Sequence, residues 1–281
     1  MSNYQDWLGK SETAEDVASG VVADRMAGLL DRPAPGNGAI WPPAWSWALF
    51  SRAMRHDEAG PDGHAARGKF LPPVELPRRM WAGSTVVIER PLRVGETVRR
   101  TSTIADISEK KGRSGALVFV TVDHLIEGGS GGRMRDSHRI VYREAPTAAA
   151  PSAGVAAQGA GPGFEPQWRR AITPDPVLLF QYSAVTYNTH RIHYDHPYVT
   201  AVEGYPGLVV HGPLTATLLL DLLSANLAGR TVSSFSMTAL RPLFAVSPIE
   251  LVGRRDGNAF QLAALDDRSG EIAMRIEGTL A

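Results

Sequence analysis

The sequence predicts an α+β fold in which one unit occurs twice: a curved antiparallel sheet wrapped around a central helix. Three observations carry this. A stretch from His211, "HGPLTATLLLDLLSANLAGR", is apolar around most of a helical circumference, so it belongs inside a sheet and not on a surface. Strand-like runs joined by short polar turns dominate the rest of the chain. An Ala/Gly/Pro-rich segment, "APTAAAPSAGVAAQGAGPG", divides the 281 residues nearly in half, and similar patterns lie on either side of it.

Taken in order, "SETAEDVASGVVADRMAGLLD" is expected to be a helix, with Ser11 as N-cap and Glu12, Glu15 and Asp16 in its opening turns, where acids suit the helix dipole. "STVVIE" is strand-like. "TSTIADISEKKGRSGALVFVTVDHLIEG" reads as a hairpin turning at "EKKGRSG", and "MRDSHRIVYRE" as a further strand. After the linker, "DPVLLFQYSAVTYN" is the counterpart of the first helix. The buried helix follows, with Pro213 at its first position and Gly229 placed as C′. "SSFSMTAL" and "AFQLAALDDRSGEIAMRIEGTL" repeat the strand and hairpin of the first half. "RPLRVGETVRR" from Arg90 and "RPLFAVSPIELVGRR" from Arg241 stand at equivalent places, so the halves read as diverged copies. One helix, one antiparallel sheet and a duplication together give the double hotdog: two antiparallel sheets, each around a central helix, packed as a pseudo-dimer. The units are expected at 1–144 and 164–281, with 145–163 as linker.

Composition removes several kinds of chemistry. With no cysteine there is no disulfide, thiolate metal site or thiol nucleophile. Lys plus Arg and Asp plus Glu both number 29, so no basic footprint marks nucleic acid or an anionic membrane surface. No apolar run approaches the roughly 20 residues of a membrane span, and the polar, acidic start "MSNYQDWLGKSETAED" is unlike a signal or transit peptide. A cytoplasmic protein without nucleic-acid or membrane partners is expected.

The chemistry concentrates in "TYNTHRIHYDHP", where His190, His193 and His196 lie within seven residues. Residue types alone leave three readings open: a metal site, polar packing, or proton transfer. Absent cysteine and the helix-breaking Pro197 weigh against metal, and none is expected. Asp195 reads as a residue that orients a histidine or holds the loop.

"FQYSAVTYNTHRIHYDHPY" followed by "YPGLVVHGPLTATLLLDLL" resembles the hydratase motif of the MaoC-like, or (R)-specific enoyl-CoA hydratase, superfamily. With "LPRRMWAGSTVVIERPLRVGETV" in the first half, the chain is similar to the double-hotdog branch that includes the mesaconyl-C4-CoA and itaconyl-CoA hydratases and the 3-hydroxyacyl-thioester dehydratases. The resemblance implies hydration of a 2-enoyl-CoA thioester, or the reverse, with an acyl-CoA substrate, no cofactor and a homodimer or higher homo-oligomer. The family motif Asp-x-Asn-Pro-x-His, aligned on His193, places Asn188 at the Asp, His190 at the Asn and Arg191 at the Pro. An amide cannot take up a proton, so Asn188 is expected to hold the water while His193 transfers the proton. Gly212, at the mouth of the buried helix, is expected to offer its N–H to the thioester oxygen.

His190, Arg191, Arg79, Arg241, His211 and Tyr187 complete the expected substrate-binding set. Arg79 or Arg191 would meet the carboxylate of a dicarboxylic acyl group, and arginines and lysines at strand ends would meet the CoA phosphates. A charged strand edge explains any one of them equally well, and His211 reads as packing or as site. "LDRPAPGNGAIWPPAWSW" in the first half has no histidine cluster, so one active site per chain is expected. The first half would then provide the acyl pocket, with Trp41, Trp45, Trp47 and Trp81 as lining or core. A hotdog thioesterase and a non-catalytic acyl-CoA-binding module are the alternatives.

Overall fold

The computed structural model describes residues 4–51, 53–65, 67–112, 115–144, 161–227 and 229–281. In the first half the strands are β1 (Ser11–Val17), β2 (Arg78–Arg90), β3 (Thr97–Gly112), β4 (Gly115–Gly128) and β5 (Arg133–Arg143). In the second they are β6 (Trp168–Ile172), β7 (Val232–Ala239), β8 (Ile249–Asp256), β9 (Ala259–Asp266) and β10 (Ile272–Leu280). All pair antiparallel in one sheet of order β1-β3-β4-β5-β2-β7-β10-β9-β8-β6. Exchanging β1 with β6, β2 with β7, β3 with β8, β4 with β9 and β5 with β10 reverses this order without altering it. That palindrome is what a duplicated unit with a twofold at its centre produces.

The two expected sheets are therefore continuous. β2 and β7 pair from Gly83↔Thr238 to Val87↔Ser234 across the pseudo-twofold. Each unit alone would leave this edge with unpaired N–H and C=O groups, and pairing the two edges satisfies both.

The helices are α1 (Gly20–Leu29), α2 (Pro176–Thr186), α3 (His196–Ala201) and α4 (Gly212–Ala225). α4 is the expected central helix, and it lies against β8, β9 and β10. Leu214, Leu219 and Leu223 are fully buried, each such side chain contributing about 2 kcal/mol of apolar transfer. Its one acid, Asp221, is neutralised by Arg32 at 3.0 Å and Arg170 at 2.6 Å, so the carboxylate ties α4 to the end of α1 and to β6. Among the described residues the first half has no helix of this length. "WPPAWSWA" gives only a 3-10 turn, Pro43–Ala48, because Pro42 and Pro43 remove two amide donors; Trp41 and Trp45 fill the core there instead.

Three local expectations are corrected. Residues 11–17 form β1, not a helix: alternate residues are exposed, and the run pairs with β3 from Ser11↔Thr103 to Val17↔Thr97. α1 begins after Ser19, whose side chain accepts from Val22 N–H. Gly229 is not the C′ residue, because α4 ends at Asn226, whose side-chain amide donates to the Leu222 carbonyl at 2.8 Å. Of the linker, 145–160 lies outside the described residues, as do Arg113 and Ser114 of the first hairpin turn. Among the described residues no helix is long and apolar enough to cross a membrane.

On β4 and β5 one row of side chains begins with Ile126 beside Met134 and ends with Val118 beside Tyr142, all buried. Between them the row turns polar at His124, Asp136 and His138. This break in the apolar surface is where a cavity wall runs.

Candidate active site

α2 positions the histidine-rich stretch. Asp175 caps its start by accepting from Leu178 N–H at 2.8 Å, and its end is turned by Tyr187 in the left-handed region, φ 51°. Asn188 follows; its Oδ1 accepts from His190 N–H at 3.0 Å, closing an Asx turn. A short 3-10 turn, Arg191–His193, then brings His193 against the start of α4.

His193 Nδ1 lies 2.7 Å from the Val209 carbonyl oxygen. A carbonyl only accepts, so this nitrogen carries the proton and Nε2 is left with its lone pair. The ring stacks on His211 at 3.6 Å between centroids, and His211 Nε2 lies 2.8 Å from Ser183 Oγ. Burial pushes His193 down to about 4, against a smaller upward push from the Val209 bond. Burial also lowers His190, His211 and His64, so this group is neutral near pH 7.

Two adjoining cavities, of about 430 and 500 Å³, meet here. His64, Arg79, Trp81, His138, Asn188 and Pro213 line both. His193, His190, Gly212 and Arg241 line the larger, and Tyr187 the smaller. Trp47 and Trp81 pack edge to face at 5.1 Å on the smaller cavity's wall, whereas Trp41 and Trp45 are core. Gly212 is the first residue of α4, so its N–H is one of the helix's orphan donors.

Other expected residues are spent elsewhere. Arg191 gives Nε and Nη2 to Asp195 at 2.9 and 2.7 Å and Nη1 to Pro61 O at 2.9 Å, and it lies over Tyr198 at 4.0 Å. It is a loop clamp, with three of its five N–H donors committed there, and it lines neither cavity. Asp195 also caps α3, accepting from Tyr198 N–H, so it holds the loop and orients no histidine. His211, 1% exposed, lies behind His193 and not on the cavity wall. Arg241 is paired with Glu271.

The first half adds a residue that its sequence did not advertise. The turn "PDGH" docks on the histidine stretch: Arg191 N–H donates to Asp62 O at 2.9 Å and Thr189 Oγ1 to Gly63 O at 2.6 Å. Gly63, φ 89°, is required there, since a Cβ would overlap the Thr189 carbonyl. Docking places the His64 ring 4.0 Å from that of His190. His64 Nδ1 is 3.0 Å from Asp62 Oδ2, and Asp62 is held well below the ordinary carboxylate range: the bonds from His64 outweigh an opposing effect of burial, which is the largest single influence. Asp62, His64 and His190 have ligating atoms within 4.8 Å of one another, the spacing of a cation site. The Asp62–His64 bond uses one nitrogen and one carboxylate oxygen on each other, so the group is arranged as a hydrogen-bonded dyad.

A second dyad stands on the sheet. Asp136, fully buried, accepts from Trp47 Nε1 at 2.8 Å and from Ser84 Oγ, and lies 2.8 Å from His138 Nε2. "PDGH" carries a turn signature with an Asx-forming Asp, the one sequence signal for His64. Nothing in the spacing of Asp136 and His138 distinguishes them from an ordinary half-buried strand.

A doubled hotdog with a buried histidine beside the N-terminus of a long buried helix has the makings of a MaoC-like acyl-thioester hydro-lyase. The comparisons with known proteins agree. The family of hydroxyacyl-thioester dehydratase type 2 matches residues 44–245. Mesaconyl-C(4)-CoA hydratase of Chloroflexus aurantiacus is 40% identical over 265 residues, 94% of this chain and 93% of that one. Among solved structures, a MaoC-like dehydratase from Phytophthora capsici superposes with TM-score 0.68 at 16% identity, covering 98% of this chain and 96% of that one. A Mycobacterium tuberculosis protein with a double hotdog fold gives 0.58 at 13% identity, covering 98% and 96%. The chain belongs to the hydroxyacyl-thioester dehydratase type 2 family.

Proposed function

We propose that this protein adds water to the double bond of a 2-enoyl-CoA thioester, or removes it from the hydroxyacyl thioester, and that mesaconyl-C4-CoA is its substrate. The observation that carries the reaction is the His193 ring, tied through Nδ1 to Val209 and neutral, beside the N-terminus of α4. The 40% identity to a mesaconyl-C4-CoA hydratase across nearly the whole chain supports the acyl group.

In the hydration direction His193 Nε2 takes one proton from water as the water oxygen bonds to the β-carbon. The π pair of the double bond moves through the α-carbon onto the thioester oxygen, where the Gly212 N–H receives the developing charge. The His193 imidazolium then returns that proton to the α-carbon as the C=O re-forms, so one water is consumed and the enzyme is unchanged. Asn188, whose Oδ1 accepts from His190 N–H, turns its side-chain amide N–H groups to the water oxygen. Arg79, on the wall of both cavities, is the partner for the free carboxylate. The first unit, 1–144, supplies the acyl pocket, and 164–281 the reacting groups. CoA thioesters are made and used inside the cell, which supports a cytoplasmic location, and a homo-oligomer accompanies this reading.

The test is loss of enoyl-thioester absorbance with mesaconyl-, itaconyl- and crotonyl-CoA. Turnover of mesaconyl-C4-CoA with at least tenfold preference supports the reading, and turnover of crotonyl-CoA alone removes the dicarboxylic substrate.

A further inference from the structure

Asn188 leaves the site one proton acceptor short. A water that is to be deprotonated by His193 needs a second acceptor for its other O–H, or it is free to rotate away from the β-carbon. At the position where the resembling family has a carboxylate, this chain has an amide whose oxygen is already bonded to a backbone N–H at 3.0 Å.

We propose that the Asp62–His64 dyad, delivered by the first half, supplies that acceptor. This rests on the hydratase reading above. The placement is built by the chain: the turn at Pro61–His64 is fastened to the histidine stretch by Arg191 N–H on Asp62 O, Arg191 Nη1 on Pro61 O and Thr189 Oγ1 on Gly63 O. Gly63 permits the backbones to approach that closely. Asp62 takes two bonds from His64, one from its N–H at 3.0 Å and one from Nδ1 at 3.0 Å, so the ring is fixed in position and in tautomer. With Nδ1–H on the carboxylate, Nε2 is the acceptor, and His64 is on the wall of both cavities, as is Asn188. A histidine oriented by a carboxylate is a general arrangement for holding a reacting O–H.

The step keeps its balance. One water proton passes to His193 and on to the α-carbon. The other stays on the oxygen throughout, donated to His64 Nε2, and leaves as the product hydroxyl. Asp62 stays ionised and balances the positive charge that forms on the nearby imidazole. The charged groups facing His64 are Asp62, Arg67 and Arg79, and the titratable ring of His190, neutral near pH 7, lies beside it.

The experiment uses the full chain and steady-state hydration of mesaconyl-C4-CoA by wild type, His64→Ala, His64→Gln and Asp62→Asn. His64→Ala is expected to lose on the order of 10²-fold in kcat with KM changed less than threefold, and to regain part of it with added imidazole. His64→Gln, which offers an acceptor oxygen but no ring for Asp62 to orient, is expected to fall between. Asp62→Asn is expected to lose about tenfold and to alter the pH profile of kcat. A folded His64→Ala, by circular dichroism, with kcat within threefold of wild type overturns the proposal. So does a loss that neither imidazole nor Gln relieves, which marks a structural role. A wild-type protein inert towards every enoyl-CoA overturns the hydratase reading and this proposal together, whereas an active wild type with an unaffected His64→Ala overturns this proposal alone.

Discussion

His193 Nδ1 donates to the carbonyl oxygen of Val209 at 2.7 Å, which assigns the lone pair to Nε2 before any substrate arrives. With burial holding the ring down to about 4, the proposed base stays unprotonated far below the usual imidazole range. The expected pH profile of kcat/KM is therefore flat through about pH 6.5, with its acid limb displaced downwards. A limb centred near 6.5 in a stopped-flow or steady-state profile would show a solvent-exposed histidine as the base.

The same burial makes the protein acid-sensitive. His193 at about 4, His124 at about 3 and the lowered His64, His190 and His211 all bind protons more readily unfolded than folded. Stability is thus complete above the unfolded value of about 6.5 and is lost as pH falls from there towards 4. His193 alone accounts for roughly 3 kcal/mol across that window. Urea unfolding at about pH 7.5 and 5 should give a lower midpoint at the acid end with little change in m.

Gly63→Ala tests whether the halves are fastened where the site needs them. Its φ of 89° and the Thr189 carbonyl against it leave no room for a Cβ, so the turn must move. More than 1 kcal/mol of stability should go. Activity should fall by tenfold or more as His64 leaves the wall, which parallel thermal melts and rate assays would separate.

Asp221 is 10% exposed at its side chain and partnered by both Arg32 and Arg170. Asp221→Ala leaves both Arg32 and Arg170 without their anion and cuts the ties from α4 to the end of α1 and to β6. A loss of about 1 kcal/mol is expected in chemical denaturation, the arginines being partly solvated, with kcat unchanged, since Asp221 lies well along α4 from Gly212.

The second half was largely legible because its chemistry is local. His193, Asn188 and Gly212 are brought together by elements with plain signatures: Pro176 after a capping Asp175, and Pro213 at the start of an apolar helix. β1 was misread because Glu12, Glu15 and Asp16 suit a helix N-terminus as well as a strand edge, and only pairing with β3 decides between them. Arg191 looked available because sequence shows a cation but not that Asp195 and Pro61 already hold it. His64 was missed for the opposite reason: its partners, Thr189 to Arg191, are more than a hundred residues away, and only docking of the two halves gives it a place.

One histidine, His193, carries the proposed hydration of a dicarboxylic enoyl thioester. The most direct measurement is mesaconyl-C4-CoA turnover by wild type and His193→Ala, followed by absorbance of the conjugated thioester and by free-thiol titration. Loss of conjugation without thiol release is expected in the wild type, and a rate lower by at least about 10²-fold in a folded His193→Ala. Release of CoA thiol, or near-wild-type hydration by His193→Ala, would contradict it.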